Sequence, residues 1–577
     1  MKLRSFFSFL IAGVLVLLAL SVGGFYWLRA HTPLNLLQGG PIVTPTAAIF
    51  VPKSAPALLS MLVNPDRLEA LRQVFAPPQE RARSHAEFNQ IKKSLLFNTG
   101  LDYSRDIEPW LGEEITLAVT GTDFDRDRTN GKQIGLLLAV ASSNIERSRE
   151  FLELFWKKPT VAAEDVIFEQ YKGVSLTYKR ANISNTFSPL SLGVSPSLAT
   201  AVVGSNSTNR DSFVLFANHP KVLREAINNV QAANLNLNSA ADYQQALQQL
   251  KQGRIAVAFA NLSELNDWIG TQKTVSKEEK ESSTISPSTL AIAMGVNRQG
   301  LLAETVVVSP DGKKLQSISP QSELVKALDY VPAASPFVAA SKDLNHLWTQ
   351  LSAGVGGNDF LSKLVNQPIA DLKASSGIDL VKDIFSWVRG EYALALLPRP
   401  DRTVPDWIFV AEKSPDSEKA IARLDAIAQS QDYSIGNFSL NNQKISAWTR
   451  LTTSSNFNNK NTAIKAEAKG VHATVGKYEI FTTSVEAMDE ALKASQTGNL
   501  ASNSDFQTGI APLPQSNYGY LYLDWLSSRA VWKRQIPLLR LIELSGRPFF
   551  DHLRSITLTS TGGEGGMRRG SAFIRLN

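Results

Sequence analysis

The chain has 577 residues, of which 43% are hydrophobic and 19% are charged, and it contains no cysteine. This composition allows large buried cores and excludes a globally disordered chain, while the length predicts about two to four domains. The missing cysteine excludes disulfides, thiolate metal sites and thiol nucleophiles. The net charge of +6 is too small to indicate nucleic-acid binding, so we expect no nucleic-acid partner.

Residues 1–31 are predicted to form a membrane anchor. Phe6 to Leu28 carries no charge, and as a helix it would span about 34 Å, enough to cross a hydrocarbon layer of ~30 Å. A cleaved signal peptide, which has a shorter apolar stretch, is the alternative. Lys2 and Arg4 precede the span, which favours a cytoplasmic N-terminus, the membrane as a partner, and a body in the periplasm or thylakoid lumen. Residues 32–46 would be a linker.

The sequence of residues 99–119 recurs at 376–396 with a constant shift and no gap. The identical pairs include Gly100 and Gly377, Asp102 and Asp379, Asp106 and Asp383, Trp110 and Trp387, and Glu114 and Glu391. Similar strands and helices flank both copies in the same order. The repeat therefore predicts two copies of one domain, at 47–310 and 325–577. Residues 311–324 would link them, and the polar stretch 271–289 would be a disordered insertion in the first copy.

The strand patterns indicate antiparallel sheets. Residues 571–576 alternate apolar and polar side chains, as expected of a strand with one covered face. Short polar turns join successive strands, and helical segments interrupt them. We therefore predict an α+β fold: an N-terminal transmembrane helix followed by two tandem domains, each an antiparallel sheet with helices on one face.

The residues of the repeated motif favour a structural role over a catalytic one. A glycine before the first aspartate suits a turn with positive φ, and the aspartate suits the N-cap of a short helix. The tryptophan follows the isoleucine of the motif by three residues, so both would share one helical face. The glutamate would begin the next strand. Paired carboxylates could also act as acid and base, so a catalytic interpretation remains the alternative.

No established catalytic signature occurs elsewhere in the sequence. Zinc-protease histidine spacing, a nucleophile elbow and a phosphate-binding loop are all missing. A Ser–His–Asp arrangement around His219, His472 or His552 stays open, because such triads assemble in space. We expect no enzyme activity, no cofactor and no metal site.

The segment from Trp525 to Leu544 combines apolar and basic residues. This pattern is typical of a helix at a membrane interface or at a partner surface, and a helix that covers the sheet is the alternative. The candidate contact residues are Trp525, Arg529, Trp532, Lys533 and Arg534.

Taken together, the hydrophobic N-terminus and the doubled G-x-D-x3-D-I-x2-W motif resemble an uncharacterised cyanobacterial family classified as a domain of unknown function, DUF3352. The resemblance implies a cyanobacterial membrane protein that faces the periplasm or thylakoid lumen. It implies no activity and no functional residues.

The leading hypothesis is a membrane-tethered, extracytoplasmic and non-enzymatic protein that binds a partner protein for assembly, as a scaffold or chaperone-like factor. Two alternatives remain open, a carrier of lipid or another apolar ligand and an extracytoplasmic hydrolase. The sequence does not identify the partner or the oligomeric state.

Overall fold

A computed structural model describes most of the two halves of the chain. The described residues are 42–75, 86, 89, 92, 101–127, 131–158, 166–179, 197–205, 208–269, 289–308, 323–345, 347–348, 370, 373–374, 377–399, 402, 404–455, 462–535, 547–563 and 566–576. The predicted linkers and insertion fall largely outside these ranges.

The chain divides into two compact units. Unit 1 comprises Met1–Ala258 with Ala293–Arg298, and unit 2 comprises Phe259–Ile292 with Gln299–Asn577. The early strands are β1 (Ala57–Met61), β2 (Leu111–Gly121), β3 (Gly135–Ser142), β4 (Val166–Tyr171), β5 (Val174–Lys179), β6 (Ala199–Ser205), β7 (Thr208–Ala217), β8 (Ala256–Asn261), β9 (Thr289–Asn297) and β10 (Gly300–Val308).

The later strands repeat this spacing. They are β11 (Phe337–Lys342), β12 (Glu391–Leu397), β13 (Asp406–Glu412), β14 (Ser434–Leu440), β15 (Gln443–Ser455), β16 (Thr462–Val475), β17 (Tyr478–Thr482), β18 (Gly519–Asp524), β19 (Leu553–Gly562) and β20 (Met567–Leu576).

The helices connect these strands. They are α1 (Pro65–Phe75), α2 (Ile145–Lys157), α3 (Pro220–Gln231), α4 (Ala241–Gln249), α5 (Leu262–Ile269), α6 (Ser417–Ser430), α7 (Val485–Thr497), α8 (Ser504–Ile510), α9 (Trp525–Gln535) and α10 (Arg547–His552). Two short 3-10 helices, Thr46–Phe50 and Lys326–Tyr330, precede β1 and β11.

Seven strands of each unit follow the same ladder order. In unit 1 the antiparallel order is β4–β5–β6–β7–β3–β2–β1. In unit 2 it is β14–β15–β16–β17–β13–β12–β11, followed by β18, β19, β20 and β10. The nine-pair ladder between β10 and β20 joins a strand from the middle of the chain to the last described strand.

The predicted fold class is wrong in its organisation. All twenty described strands belong to one antiparallel sheet with helices, not to two tandem domains with a sheet each. The physical reason is that alternation predicts a strand but not its neighbour, and β10 pairs with β9 on one side and with the distant β20 on the other.

Helices also cover both faces of the sheet. On one face, here the outer face, α2 packs over β6 and β7, where Trp156 Nε1 donates to Thr200 Oγ1 at 2.8 Å. On the other face of unit 1, here the core face, α3 lies over β6 and β7, and in unit 2 the helix α7 buries Ala487 and Met488 against the equivalent face of its own strands. The unbroken apolar run of β3, Leu136 to Val140, fits a strand that is buried on both faces.

The prediction of a single-pass membrane protein is also contradicted. Among the described residues, no helix is both long and apolar enough to cross a membrane. The longest of them, α6, has 14 residues and spans about 21 Å, less than a hydrocarbon layer. The same finding contradicts the predicted signal anchor, the membrane as a partner and the location in periplasm or thylakoid lumen. The predicted span itself, Phe6 to Leu28, lies outside the described residues.

Candidate functional site

The two aspartates of the repeated motif close a short helical turn. Asp102 precedes the turn Tyr103–Ile107, and its Oδ1 accepts a hydrogen bond from the backbone N of Arg105 at 3.0 Å. Asp106 Oδ2 accepts in return from the backbone N of Asp102 at 2.9 Å. Each carboxylate thus satisfies a backbone donor that the start of a helix leaves free.

The same arrangement recurs in unit 2. Asp379 Oδ1 accepts from the backbone N of Lys382 at 3.3 Å, and Asp383 Oδ2 accepts from the backbone N of Asp379 at 2.8 Å. Gly377 has φ +67, and a Cβ added there would lie 2.6 Å from Nε2 of Gln431. A side chain would be strained at this position. Gly100 lies outside the described residues.

The motif tryptophans are buried hydrogen-bond donors. Trp110 Nε1 donates to the backbone oxygen of Asp106 at 2.8 Å, and Trp387 Nε1 donates to that of Asp383 at 2.9 Å. The two indoles are 3% and 2% exposed. Trp110 packs against Phe151 of α2, with 5.1 Å between ring centroids. Each tryptophan therefore lies in a hydrophobic core, not in an open cleft.

A basic residue at the end of α2 and one within α6 neutralise the second aspartate of each motif. Lys158 Nζ lies 2.7 Å from Asp106, and Arg423 Nε of α6 lies 2.8 Å from Asp383. Burial alone would raise the pKa of Asp106, but the hydrogen bonds from Arg105 and Lys158 outweigh it and hold that pKa well below its usual range. A carboxylate with so low a pKa is a weak general base, so this geometry favours a structural role.

The motif glutamates bind the start of the 3-10 helices that precede β1 and β11. Glu114 Oε2 accepts from N and Oγ1 of Thr46, while its Oε1 accepts from N of Ala47 at 3.0 Å and from Oγ1 of Thr116 at 2.8 Å. Glu391 Oε2 accepts from the backbone N of Lys326 at 3.0 Å and from the Tyr478 hydroxyl at 2.6 Å. A negative charge at a helix N-terminus is favourable, so both glutamates act as caps.

The tryptophans of α9 face inward. Trp525 is 3% exposed and packs on Phe550, with ring centroids 5.3 Å apart. Trp532 packs edge to face on Phe337 of β11 at 5.7 Å. These two indoles contribute to the packing of unit 2.

The basic residues of α9 differ in their surroundings. Arg529 lies 3.8 Å from Asp551, and Lys533 is partly buried. The side chain of Arg534 lies outside the described residues. A contact of α9 with a partner stays a prediction.

His472 pairs with a carboxylate, as the histidine of a catalytic triad would. Its Nε2 lies 3.1 Å from Asp425 Oδ1 of α6, and Trp448 Nε1 donates to the same oxygen at 2.7 Å. Ser446 is directly opposite His472 in the ladder, but its Oγ donates to Asn437 at 2.8 Å. The serine is therefore engaged elsewhere, and Asp425 fastens α6 to the sheet.

The other two candidate histidines lie at helix ends. His219 caps α3, where its Nδ1 accepts from the backbone N of Lys221 at 3.1 Å. His552 ends α10 and is partly buried. The described residues also contain no group of three or more histidine or acidic side chains that could hold a metal ion.

Two pairs of exposed leucines lie on the outer face of the sheet, a feature that sequence reasoning missed. In unit 1, Leu59 and Leu117 are directly opposite on β1 and β2 and are 54% and 47% exposed. In unit 2, Leu521 and Leu558 are directly opposite on β18 and β19 and are 36% and 41% exposed. We call these four residues the leucine pairs. Alternation revealed the strands, but it could not show which part of the face the helices leave uncovered.

The leucine pair of unit 1 continues a row that runs to the helix α2. In unit 1, Leu117 is opposite Leu138, which in turn is opposite Phe216. Leu138 and Phe216 pack in the cluster of Trp110 and α2. The apolar row is thus covered at one end and exposed at the other.

The fold and these sites define an antiparallel sheet protein whose repeated acidic motif holds helices in place. The chain belongs to the family described as "Protein of unknown function (DUF3352)", whose profile matches residues 10–576. No curated protein matches significantly. A solved structure described as "Structure of crystal form I of TP0453" is matched with 9% identity and a TM-score of 0.19, over 78% of this chain and 98% of that one.

Proposed function

We propose that this chain is a non-enzymatic binding protein that acts in assembly and holds an apolar surface of a partner protein on its leucine pairs. The observation that carries the proposal is the exposure of two directly opposed leucine pairs on the outer face of the sheet. Burial of a fully exposed leucine is worth about 1.5–3 kcal/mol. Two half-exposed leucines would therefore add about 2 kcal/mol to binding.

The contacts of the acidic motif support a function other than catalysis. Asp106, Asp383, Glu114 and Glu391 each bind backbone donors or a basic side chain. A catalytic carboxylate needs access to substrate, whereas these groups are committed to the folded structure.

The experiment compares partner capture by matched variants. The full chain and the double variant Leu521→Glu with Leu558→Glu are used as bait in parallel, and bound proteins are identified by mass spectrometry. Leu451→Glu is the control, because Leu451 is 71% exposed and lies away from the leucine pairs on β15. We expect a defined set of proteins to bind the native chain and the control but not the double variant.

Two results would contradict this proposal. The first is an identical set of proteins on all three baits, and the second is a loss of binding in the control alone. Circular dichroism checks that each bait is folded.

An apolar small molecule such as a lipid is the second candidate for the same surface, because leucines alone do not distinguish an apolar ligand from an apolar protein surface. Native mass spectrometry of the purified chain separates the two. A bound small molecule that the double variant loses would favour the carrier function over the protein-binding function.

A further inference from the structure

Strand β14 forms an open edge of the sheet within the described residues. It pairs through all seven of its residues with β15, without a bulge, and the described backbone shows no ladder on its other side. Natural edge strands are usually protected by charged residues, proline, bulges or short length. The sequence of β14, from Ser434 to Leu440, contains no charge and no proline.

The buried core row of unit 2 ends at this edge in an exposed aromatic residue. Phe438 is directly opposite Ile445, and the row continues through Ala473, Ile480 and Val410. Those four residues are at most 3% exposed, whereas Phe438 is 41% exposed. The apolar layer therefore reaches the edge and stops at an aromatic side chain that is not fully covered.

The corresponding edge of unit 1 is protected. The equivalent row runs through Ala139, Leu215, Ala201 and Leu176 and ends at Glu169 of β4. Arg224 binds both carboxylate oxygens of Glu169, at 2.9 and 2.6 Å, and Tyr178 donates to it at 2.9 Å. At equivalent edge positions, unit 1 thus has the ion-paired Glu169 and unit 2 has the exposed Phe438.

We propose that β14 pairs antiparallel with β14 of a second copy of this chain, which extends the sheet across a twofold axis. Full overlap of two seven-residue strands centres the ladder on Asn437, so that each Asn437 is opposite its twin. Phe438 of one copy then lies opposite Gly436 of the other. An aromatic residue across from an edge glycine is a stabilising pair.

Two features favour a second copy over another extended segment. A Cβ added at Gly436 meets nothing within 4 Å, so there is room for the incoming Phe438. Because β14 carries no charge, the antiparallel twin also brings no like charges into opposition. The strand is therefore complementary to itself.

Cysteine cross-linking of the full chain tests the register, because the native sequence has no cysteine. Asn437→Cys would place two thiols directly opposite across the axis. Ser434→Cys is the matched control, because its thiols would be about 20 Å apart in the same ladder. Under equal oxidation we expect at least about tenfold more disulfide dimer from the first variant than from the second. Equal yields, or no dimer from either, would overturn the proposal.

Sedimentation of edge variants tests the same interface without cross-linking. Phe438→Glu introduces the residue type found at the equivalent position of β4, and we expect it to raise the dimer dissociation constant at least about tenfold. Phe168→Glu is the control, because Phe168 is a 77% exposed residue of β4, the edge strand of unit 1. We expect this variant to leave the dimer dissociation constant unchanged. A native chain that stays monomeric at about 100 µM would overturn the proposal. So would a dimer that only the control variant weakens.

Discussion

The indole Nε1 of Trp387 lies 2.9 Å from the backbone oxygen of Asp383, while the carboxylate of the same aspartate accepts from the backbone N of Asp379. Trp110 and Asp106 repeat this relationship in unit 1. The side chain and the backbone of one aspartate thus fix both ends of the turn that leads into the next strand. This local closure explains why the motif residues recur together at constant spacing.

Loss of the Trp387 indole should destabilise the protein. Trp387→Phe removes a buried hydrogen bond and leaves a small cavity around a side chain that is 2% exposed. We expect the free energy of unfolding to fall by about 2–3 kcal/mol, as measured by urea denaturation. Leu451→Ala, at a 71% exposed position, should change it by less than about 0.5 kcal/mol. Equal stability of Trp387→Phe and the native chain would show that the indole bond is unimportant.

Neutralisation of the Glu114 cap should also lower stability. Glu114→Gln replaces one acceptor oxygen by an NH2 group, which would face the backbone N–H group of either Thr46 or Ala47. Since Glu114 is only 7% exposed, we expect a loss of about 2–3 kcal/mol in the free energy of unfolding.

The adjacent Glu113→Gln is the matched control for that cap. The Glu113 side chain is 59% exposed and pairs with Arg67 at the surface, so its loss should stay below about 1 kcal/mol. If both variants lost the same stability, the capping role of Glu114 would be wrong.

Some of this architecture follows from local sequence and some does not. The contacts of Asp102 with Arg105 and of Trp110 with Asp106 lie within four residues, so spacing alone points to a cap and a shared helical face. The ladder that joins β10 to β20 links residues more than 250 positions apart. Side-chain periodicity carries no information about such a partner.

The sequence did not predict the two candidate surfaces, the leucine pairs and the β14 edge, for a related reason. Leu117 of β2 and Leu138 of β3 are opposite each other and of one residue type, yet Leu117 is 47% exposed and Leu138 packs in the core. The difference depends on tertiary packing, because Leu138 contacts the cluster that contains residues of α2. In the same way, Phe438 and Glu169 become comparable only after the ladders align them.

The charge of Asp106 should make stability depend on acid pH. Its pKa in the folded state lies below the ordinary value of 3.8 because of Arg105 and Lys158. Folding therefore favours the ionised form, and this stabilisation is present above about pH 4 and lost as the pH falls below it. Asp106→Asn should reduce stability by about 1–2 kcal/mol near neutral pH, and the difference from the native chain should shrink towards about pH 2. If the difference in the free energy of unfolding between the two proteins stayed constant over this pH range, ionisation of Asp106 would not be coupled to folding.

His219 should give a second pH dependence at higher pH. The ring stacks on Phe124, with centroids 4.5 Å apart, and Nδ1 must be unprotonated to accept from Lys221 at the start of α3. Burial, together with the charges of Lys221 and Arg224, lowers the pKa of His219 from 6.5 to about 4. Folding therefore favours the neutral ring. The contribution of the neutral ring to the free energy of unfolding is complete above about pH 6.5 and is lost as the pH falls towards about 4.

Denaturation at two pH values measures this contribution. Because the ring is only partly buried, we expect the native chain to lose about 1 kcal/mol between about pH 7.5 and pH 5 through this residue. His219→Asn keeps a good N-cap acceptor without a titrating ring, so it should retain most of the stability near neutral pH and lose this part of the pH dependence. His219→Ala removes the cap and should cost about 1 kcal/mol at the higher pH. If His219→Asn kept the full pH dependence of the native chain, a different group would be responsible.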